Sequence, residues 1–79
     1  MDIGKRIALI RKKRELTQGY LAKKLNRTPQ WLSNIERGTR PIDTDDLVTI
    51  AGLLQIDPGY FFDKNFNEMC NYDAPAVNQ

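Results

Sequence analysis

The sequence predicts an all-α fold, a compact domain of five short helices. Apolar residues recur at intervals of three and four, and no alternating run of strand length is present. Hydroxyl or carboxylate side chains also stand where the helical segments should begin, followed twice by proline. With 79 residues, of which 41% are hydrophobic and 28% charged, the chain has the composition of one small globular domain.

The first two helices are predicted from their apolar faces. The first spans about residues 3–14, with Asp2 as its N-cap. Its apolar stripe consists of Ile3, Ile7 and Ile10. The second spans residues 18–25, because the hydroxyl of Thr17 can cap it and one face is apolar. That face comprises Leu21, Ala22 and Leu25. Asn26 then stands where a left-handed residue would end the helix.

The third helix has the clearest start signal. Thr28 can act as its N-cap, and Pro29 occupies the first helical position, where the missing N–H is tolerated. The helix is predicted to run to about Glu36 and to stop at Gly38, and Pro41 prevents its immediate continuation. Its inward-facing residues are Leu32 and Ile35.

The fourth helix is predicted to begin with Thr44 as its cap, because Asp45 and Asp46 in its first turn suit the helix dipole. Its buried face comprises Leu47, Ile50, Ala51 and Leu54. Asp57 and Pro58 repeat the cap-plus-proline start for a short fifth helix. That helix carries the aromatic residues Tyr60, Phe61 and Phe62.

Charge divides the chain into two halves. Residues 1–40 contain eleven Lys and Arg against three acidic residues, a balance of +8, whereas residues 41–79 contain one lysine and seven acidic residues, a balance of −6. This polarity suggests that one half faces a polyanion, although a solvated basic helix face would give the same count. The predicted domain covers residues 1–62, and residues 63–79 are predicted to be a C-terminal tail, a candidate dimerisation extension.

Composition disfavours several classes of function. The sequence has no apolar run of the roughly 18–20 residues that span a bilayer, and no secretory signal is recognisable, so a cytoplasmic location without membrane contact is expected. One cysteine, Cys70, and no histidine leave no Cys/His metal site and no histidine-based catalysis. Asp43, Asp45 and Asp46 are interpreted as helix caps and dipole partners. We therefore expect no enzyme activity, no cofactor, no metal and no small-molecule ligand.

The second and third predicted helices are separated by about three residues. So short a link predicts a sharp crossing of the two helices, the helix-turn-helix arrangement. In that arrangement the second helix can enter the major groove of B-DNA. The N–H groups at the start of the first helix then point toward phosphate.

This segment resembles the phage lambda repressor and Cro-like family of prokaryotic and phage regulators, of the xenobiotic-response-element type. The resemblance is carried by residues 16–25, LTQGYLAKKL, and by residues 31–38, WLSNIERG, with support from residues 46–54 and 56–62. It extends over about residues 3–62. The resemblance implies a five-helix domain that binds double-stranded operator DNA in a sequence-specific way and regulates transcription, in the manner of a repressor.

Two positions depart from the family pattern. Asn26 replaces the usual glycine of the turn, and asparagine suits that backbone conformation. Pro29 stands where relatives often carry a polar, base-reading side chain. The set of base-reading residues is therefore expected to be smaller.

Roles at the DNA interface follow from this resemblance. Gln30 and Asn34 share the helix face opposite Leu32 and Ile35, and amide side chains suit paired hydrogen bonds with adenine. The alternative is that they are solvated surface amides. The predicted base-reading residues are Gln30, Asn34, Ser33 and Pro29. The predicted phosphate-binding residues are Thr17, Gln18, Arg27, Trp31, Arg37 and Arg40.

Several of these residues have a structural alternative. Thr17 is expected to act as a cap first, Ser33 could bond back to its own helix, and each arginine could be an ordinary surface residue. Partial burial of Trp31 is expected, with a DNA contact only at its rim. Glu36 would be repelled by DNA, and the resemblance implies that it instead pairs with Arg11 of the first helix as a structural ion pair.

The predicted dimer interface consists of aromatic residues near the C-terminus. Four of them lie within seven residues, more than the core is expected to absorb: Tyr60, Phe61, Phe62 and Phe66. One or two should be buried, and the others should form a contact surface for a homodimer. Pairing there would place two recognition helices in successive major grooves, about 34 Å apart. The alternatives are a monomer, or a protein-interaction module (an antitoxin or anti-repressor) that uses the same fold.

Overall fold

The computed structural model describes residues 3–63, which form four α-helices and one 3₁₀ helix. The α-helices are α1 (Ile3–Lys13), α2 (Gln18–Lys24), α3 (Pro29–Glu36) and α4 (Thr44–Leu54), and the 3₁₀ helix is Pro58–Phe62. The all-α class is confirmed. The count of five α-helices is not, because the fifth predicted helix is a 3₁₀ helix of five residues. Within the described range, every helix is too short or too polar to cross a membrane.

Side-chain caps fix where the helices begin. Thr17 caps α2 and Thr28 caps α3, as predicted. The prediction that Thr44 caps α4 is wrong: the carboxylate of Asp43 accepts the N–H of Asp46 at 2.9 Å. Asp43 has an extended backbone and stands three residues before that N–H, whereas Thr44 is already helical. The predicted cap of α1, Asp2, lies outside the described residues.

All four α-helices end with a residue in the left-handed conformation. The positive φ angles are 61° at Glu15, 62° at Asn26, 83° at Gly38 and 64° at Gln55. In each case the following residue donates its N–H to the carbonyl five positions earlier, at 2.8 to 3.1 Å. Three of these residues therefore hold a conformation that glycine adopts more easily.

The apolar core draws residues from every described helix. Its fully buried large side chains are Ile7, Leu21, Leu32, Ile35, Ile50, Leu54 and Phe61. The 3₁₀ helix folds back against α1, where Arg6 Nη1 donates to the carbonyl of Phe61 at 2.6 Å and to that of Asp63 at 2.8 Å. These bonds join the two ends of the described chain.

Burial of the 3₁₀ helix shows which of the predicted interface aromatics face inward, and two are buried, within the expected one or two. Tyr60 is 8% exposed and Phe61 is 1% exposed, so both belong to the core of this chain and are unavailable to a partner. They turn inward because the cap at Asp57 directs the 3₁₀ helix back onto α1 and α4. Phe62 is 64% exposed. Phe66 lies outside the described residues, as does the predicted tail after Asp63.

Candidate nucleic-acid interface

The helix α3 has one buried side and one exposed side. Its buried residues are Trp31, Leu32, Ile35 and Glu36. Pro29 and Gln30 are exposed, and Ser33 and Asn34 are half-buried. Residues three, four and seven apart share a helix side, so Gln30, Ser33, Asn34 and Arg37 lie along the surface that α3 presents to solvent.

Three of these side chains are hydrogen-bonded to one another, and we call them the polar row: Gln30, Asn34 and Arg37. Gln30 Nε2 donates to Asn34 Oδ1 at 3.0 Å, and Arg37 Nη2 donates to the same oxygen at 2.5 Å. The backbone carbonyl of Asn34 also accepts two bonds from Thr39. The side-chain bonds connect the three residues along the exposed side of α3. The amides of the polar row still carry a donor nitrogen and an acceptor oxygen outside these bonds.

The turn between α2 and α3 brings Arg27 over Trp31. The Arg27 guanidinium lies 4.8 Å from the centre of the indole ring, and its Nη2 contacts Asp46 Oδ2 at 3.1 Å. Trp31 is only 8% exposed, so the expectation of burial fits its position and its ring supports Arg27. The contact between Arg27 and α4 gave no signal in the sequence, because residues 19 apart carry no periodic relation.

The start of α2 carries Thr17 and Gln18. Thr17 Oγ1 accepts the N–H of Tyr20 at 3.0 Å and so acts as a cap. Gln18 Nε2 donates to Glu36 Oε1 at 2.9 Å, which directs the amide nitrogen toward α3 rather than toward solvent. A phosphate contact by Gln18, which stays a prediction, would need its backbone N–H or the second hydrogen of that amide nitrogen.

Arg11 and Glu36 form the ion pair that joins α1 to α3. Arg11 Nε donates to Glu36 Oε2 at 2.8 Å and Nη2 donates to Oε1 at 3.0 Å, a two-pronged contact between side chains that are 10% and 6% exposed. Arg11 Nη1 also bonds the carbonyl of Leu16 at 2.7 Å. Together with Gln18 Nε2, three donor groups bond the Glu36 carboxylate and offset its negative charge.

A second contact between α1 and α3 depends on Gly4. A Cβ built at this position would lie 1.9 Å from the Ile35 carbonyl oxygen, closer than any side chain tolerates. The two backbones can approach this closely only because residue 4 is glycine. Sequence reasoning missed Gly4, since glycine inside a predicted helix usually signals only lower helix propensity.

Arg40 follows α3 in the loop to α4 and is exposed. It borders a hollow of about 310 Å³ whose wall also includes Arg27, Trp31, Asp43 and Asp46. Residues 3–63 contain no group of three side chains able to hold a metal ion. The described interface is thus a hydrogen-bonded polar row with arginines on both flanks.

Comparison with known proteins matches this sequence to a helix-turn-helix family and to proteins named as transcriptional regulators. A family model described as helix-turn-helix matches residues 7–61. The chain is 38% identical over 65 residues to the HTH-type transcriptional regulator ImmR of Bacillus subtilis (strain 168), covering 82% of this chain and 51% of that protein. It is 43% identical over 56 residues to the immunity repressor protein of Bacillus phage phi105, covering 71% of this chain and 39% of that protein.

A third relative, from Sinorhizobium fredii, carries the name uncharacterized HTH-type transcriptional regulator y4wC. It is 27% identical over 77 residues, covering 98% of this chain and 54% of that protein. The chain thus spans about half the length of these relatives, or less. No solved structure matches it.

Proposed function

The chain belongs to the Cro/C1-type helix-turn-helix family, and on that premise we propose that it is a sequence-specific, double-stranded-DNA-binding transcriptional regulator of the repressor type. The family consists of DNA-binding regulators and is not a class of enzyme. Two relatives bear the names transcriptional regulator and immunity repressor. A location in the cytoplasm fits this function.

The polar row is the observation that carries the proposal. It lies on the side of α3 opposite the buried Leu32 and Ile35, where a helix entering the major groove meets base edges. Asn34 can turn its amide to the N6 and N7 atoms of adenine, and Gln30 can do the same one turn earlier. Ser33 and Pro29 lie beside them and complete the proposed base-reading surface.

Cations within and beside the polar row supply affinity for the sugar–phosphate backbone. Arg37 and Arg40 are exposed after α3. Arg27 is held at the turn by Trp31 and Asp46, so its side chain needs little further ordering to meet a phosphate. Contacts of this kind position the domain without reading sequence.

The first experiment selects duplexes from a random pool and then measures affinity against salt concentration. Each neutralised phosphate lowers log K by about 0.9 per decade of salt. Arg37→Ala should weaken selected and random duplexes by the same factor and flatten the slope by about one. Absence of duplex binding at low salt would contradict the proposal and favour the protein-interaction alternative.

We further propose that two copies pair on a two-fold-related operator. Phe62 is 64% exposed and, with Ile3 and Ile42, lines a hollow of about 500 Å³ whose wall also includes polar residues. Exposed apolar surface of this kind is typical of contact sites. Pairing through Phe62 is expected to leave the polar row free.

Sedimentation at micromolar concentration tests this pairing. Phe62→Asp should shift the wild-type dimer to monomer, whereas Val48→Asp, at a residue 49% exposed on α4, should leave it unchanged. A monomeric wild type, or a folded Phe62→Asp protein that still dimerises, would contradict the assignment. Phe66, outside the described residues, remains a predicted contributor.

A further inference from the structure

A groove lies between α1 and the neighbouring ends of α2 and α3, and we call it the helix-1 groove. It encloses about 450 Å³. Lys5 and Lys12 line it from α1, Gln18 from the start of α2, and Arg37 from the end of α3. The ion pair of Arg11 and Glu36 forms its floor.

The helix-1 groove is strongly cationic. Lys5, Lys12 and Arg37 are all exposed at its edge, and each carries a positive charge. Glu36 is the single acidic residue of the lining, and its charge is balanced by the two-pronged contact with Arg11. The groove therefore carries a net formal charge of about +3 and attracts polyanions.

We propose that the helix-1 groove extends the DNA interface along the sugar–phosphate backbone, with Lys5 and Lys12 each neutralising a phosphate beyond those that α2 and α3 reach. This inference rests on the proposed function and adds two contact residues to it. The partner is a duplex backbone rather than an acidic protein, because the groove is continuous with Arg37 of the polar row.

Helix geometry fits a run of phosphates. Lys5 and Lys12 are seven residues apart, so they share one side of α1 and are separated by about 10 Å along its axis. A DNA strand carries one phosphate for about every 3.4 Å of duplex axis, so two cations about 10 Å apart can meet different phosphates. Between the two lysines lies Ala8, whose small side chain keeps the groove open.

The experiment measures binding of a random-sequence duplex as a function of salt by Lys5→Gln, Lys12→Gln and the double variant. At about 0.1 M salt, one phosphate contact with a slope of 0.9 contributes about eightfold in K. Each single variant should therefore lose about eightfold and the double variant about sixtyfold, with slopes lower by about 0.9 and 1.8. Selected duplexes should lose affinity by the same factors.

The matched control is Lys13→Gln. Lys13 is exposed on α1 next to Lys12 but does not line the groove. The control removes the same charge from the same helix, and it should change K by less than about twofold because a lysine outside the groove is expected to contact no phosphate directly and its charge is screened by salt. Ala8→Glu, which adds an anion inside the groove, should weaken binding more than Lys13→Gln does.

Three outcomes separate this inference from the proposed function. A wild type that binds no duplex overturns both. A wild type that binds while the groove variants, shown by thermal unfolding to be folded, match Lys13→Gln overturns the helix-1 groove alone. A loss restricted to selected duplexes also overturns it, because phosphate contacts cannot discriminate sequence.

Discussion

The two sides of α3 are held by different kinds of contact. The inner side meets α1 through two fixed contacts, the backbone approach at Gly4 and the buried pair of Glu36 with Arg11. The outer side carries the polar row, whose members bond only to one another and to the following loop. The eight residues of α3 thus have an inner side fixed by close contacts and an outer side whose side chains can change hydrogen-bond partners.

The two sides of α3 therefore have different expected roles: the inner side positions the helix, and the outer side contacts DNA. Contacts on the inner side determine where α3 stands relative to α1, and small displacements of a backbone there are costly because the neighbouring atoms are close-packed. Amides on the outer side can change hydrogen-bond partners without moving the helix. Inner-side variants should therefore alter stability and DNA binding together, and outer-side variants should alter DNA binding alone.

The largest effect is expected at Glu36. Glu36→Leu leaves the charge of Arg11 buried without its partner, which should lower the free energy of unfolding by about 3–5 kcal/mol, measured by urea denaturation. The double variant Arg11→Met with Glu36→Leu removes both charges and should recover most of that loss. A single variant as stable as the double would show that the pair does not brace α1 on α3.

The next largest effect is expected at Gly4. In Gly4→Ala the new Cβ would meet the Ile35 carbonyl, so α1 must move away from α3, at a cost of about 1–3 kcal/mol in unfolding free energy. Gly19→Ala and Gly52→Ala are matched controls, since a Cβ there meets nothing closer than 3.9 Å. Both should stabilise the fold by about 0.5–1 kcal/mol. Equal behaviour of all three would contradict the close approach.

The outer side should respond in binding only. Asn34→Ala or Gln30→Ala should cost about 1–3 kcal/mol of binding free energy on the selected duplex and relax preference at particular base pairs. The free energy of unfolding should change by less than about 0.5 kcal/mol, because neither residue belongs to the buried core. Equal loss on selected and random duplexes would mean that these residues do not read bases.

The helix caps and the outer side of α3 could be predicted from the sequence because their signals are local. Capping residues such as Thr17 and Thr28, and the spacing of Gln30 and Asn34, depend on residues three or four apart. Asn26 was likewise predicted from its place after an apolar run. Periodicity and cap chemistry suffice where the contact lies within one helix.

The inner side depends on contacts between distant residues, which periodicity does not report. The pairing of Arg11 with Glu36 was reached only through the family resemblance, and nothing indicated the bond from Gln18 to Glu36 or the role of Gly4. Composition likewise predicted that one or two of the aromatic residues near the C-terminus are buried, but not which ones. The fold buries Tyr60 and Phe61, and a count of aromatic residues cannot show which way a short helix turns.

The smallest effect is expected at the helix ends. A substitution at the end of α4 changes stability at a position far along the chain from the polar row. Gln55 ends α4 with a φ of 64°, and an L side chain is disfavoured there by about 1 kcal/mol or more. Because glycine also loses more backbone freedom on folding, the net gain from Gln55→Gly should be about 0.5 kcal/mol in unfolding free energy. Glu15→Gly should behave alike.

Two variants, at the ends of α2 and α3, test whether the residue type at the left-handed position determines the change in stability. Asn26→Gly should gain less than Gln55→Gly, because asparagine tolerates the left-handed conformation. Gly38→Ala should lose about 1 kcal/mol, since φ there is 83°. Urea denaturation measures each value, and duplex affinity of Gln55→Gly should equal that of the wild type. A Gln55→Gly protein that gains stability and loses duplex affinity would show that α4 is coupled to the polar row. It would contradict the expectation that stability can change without a change in DNA binding.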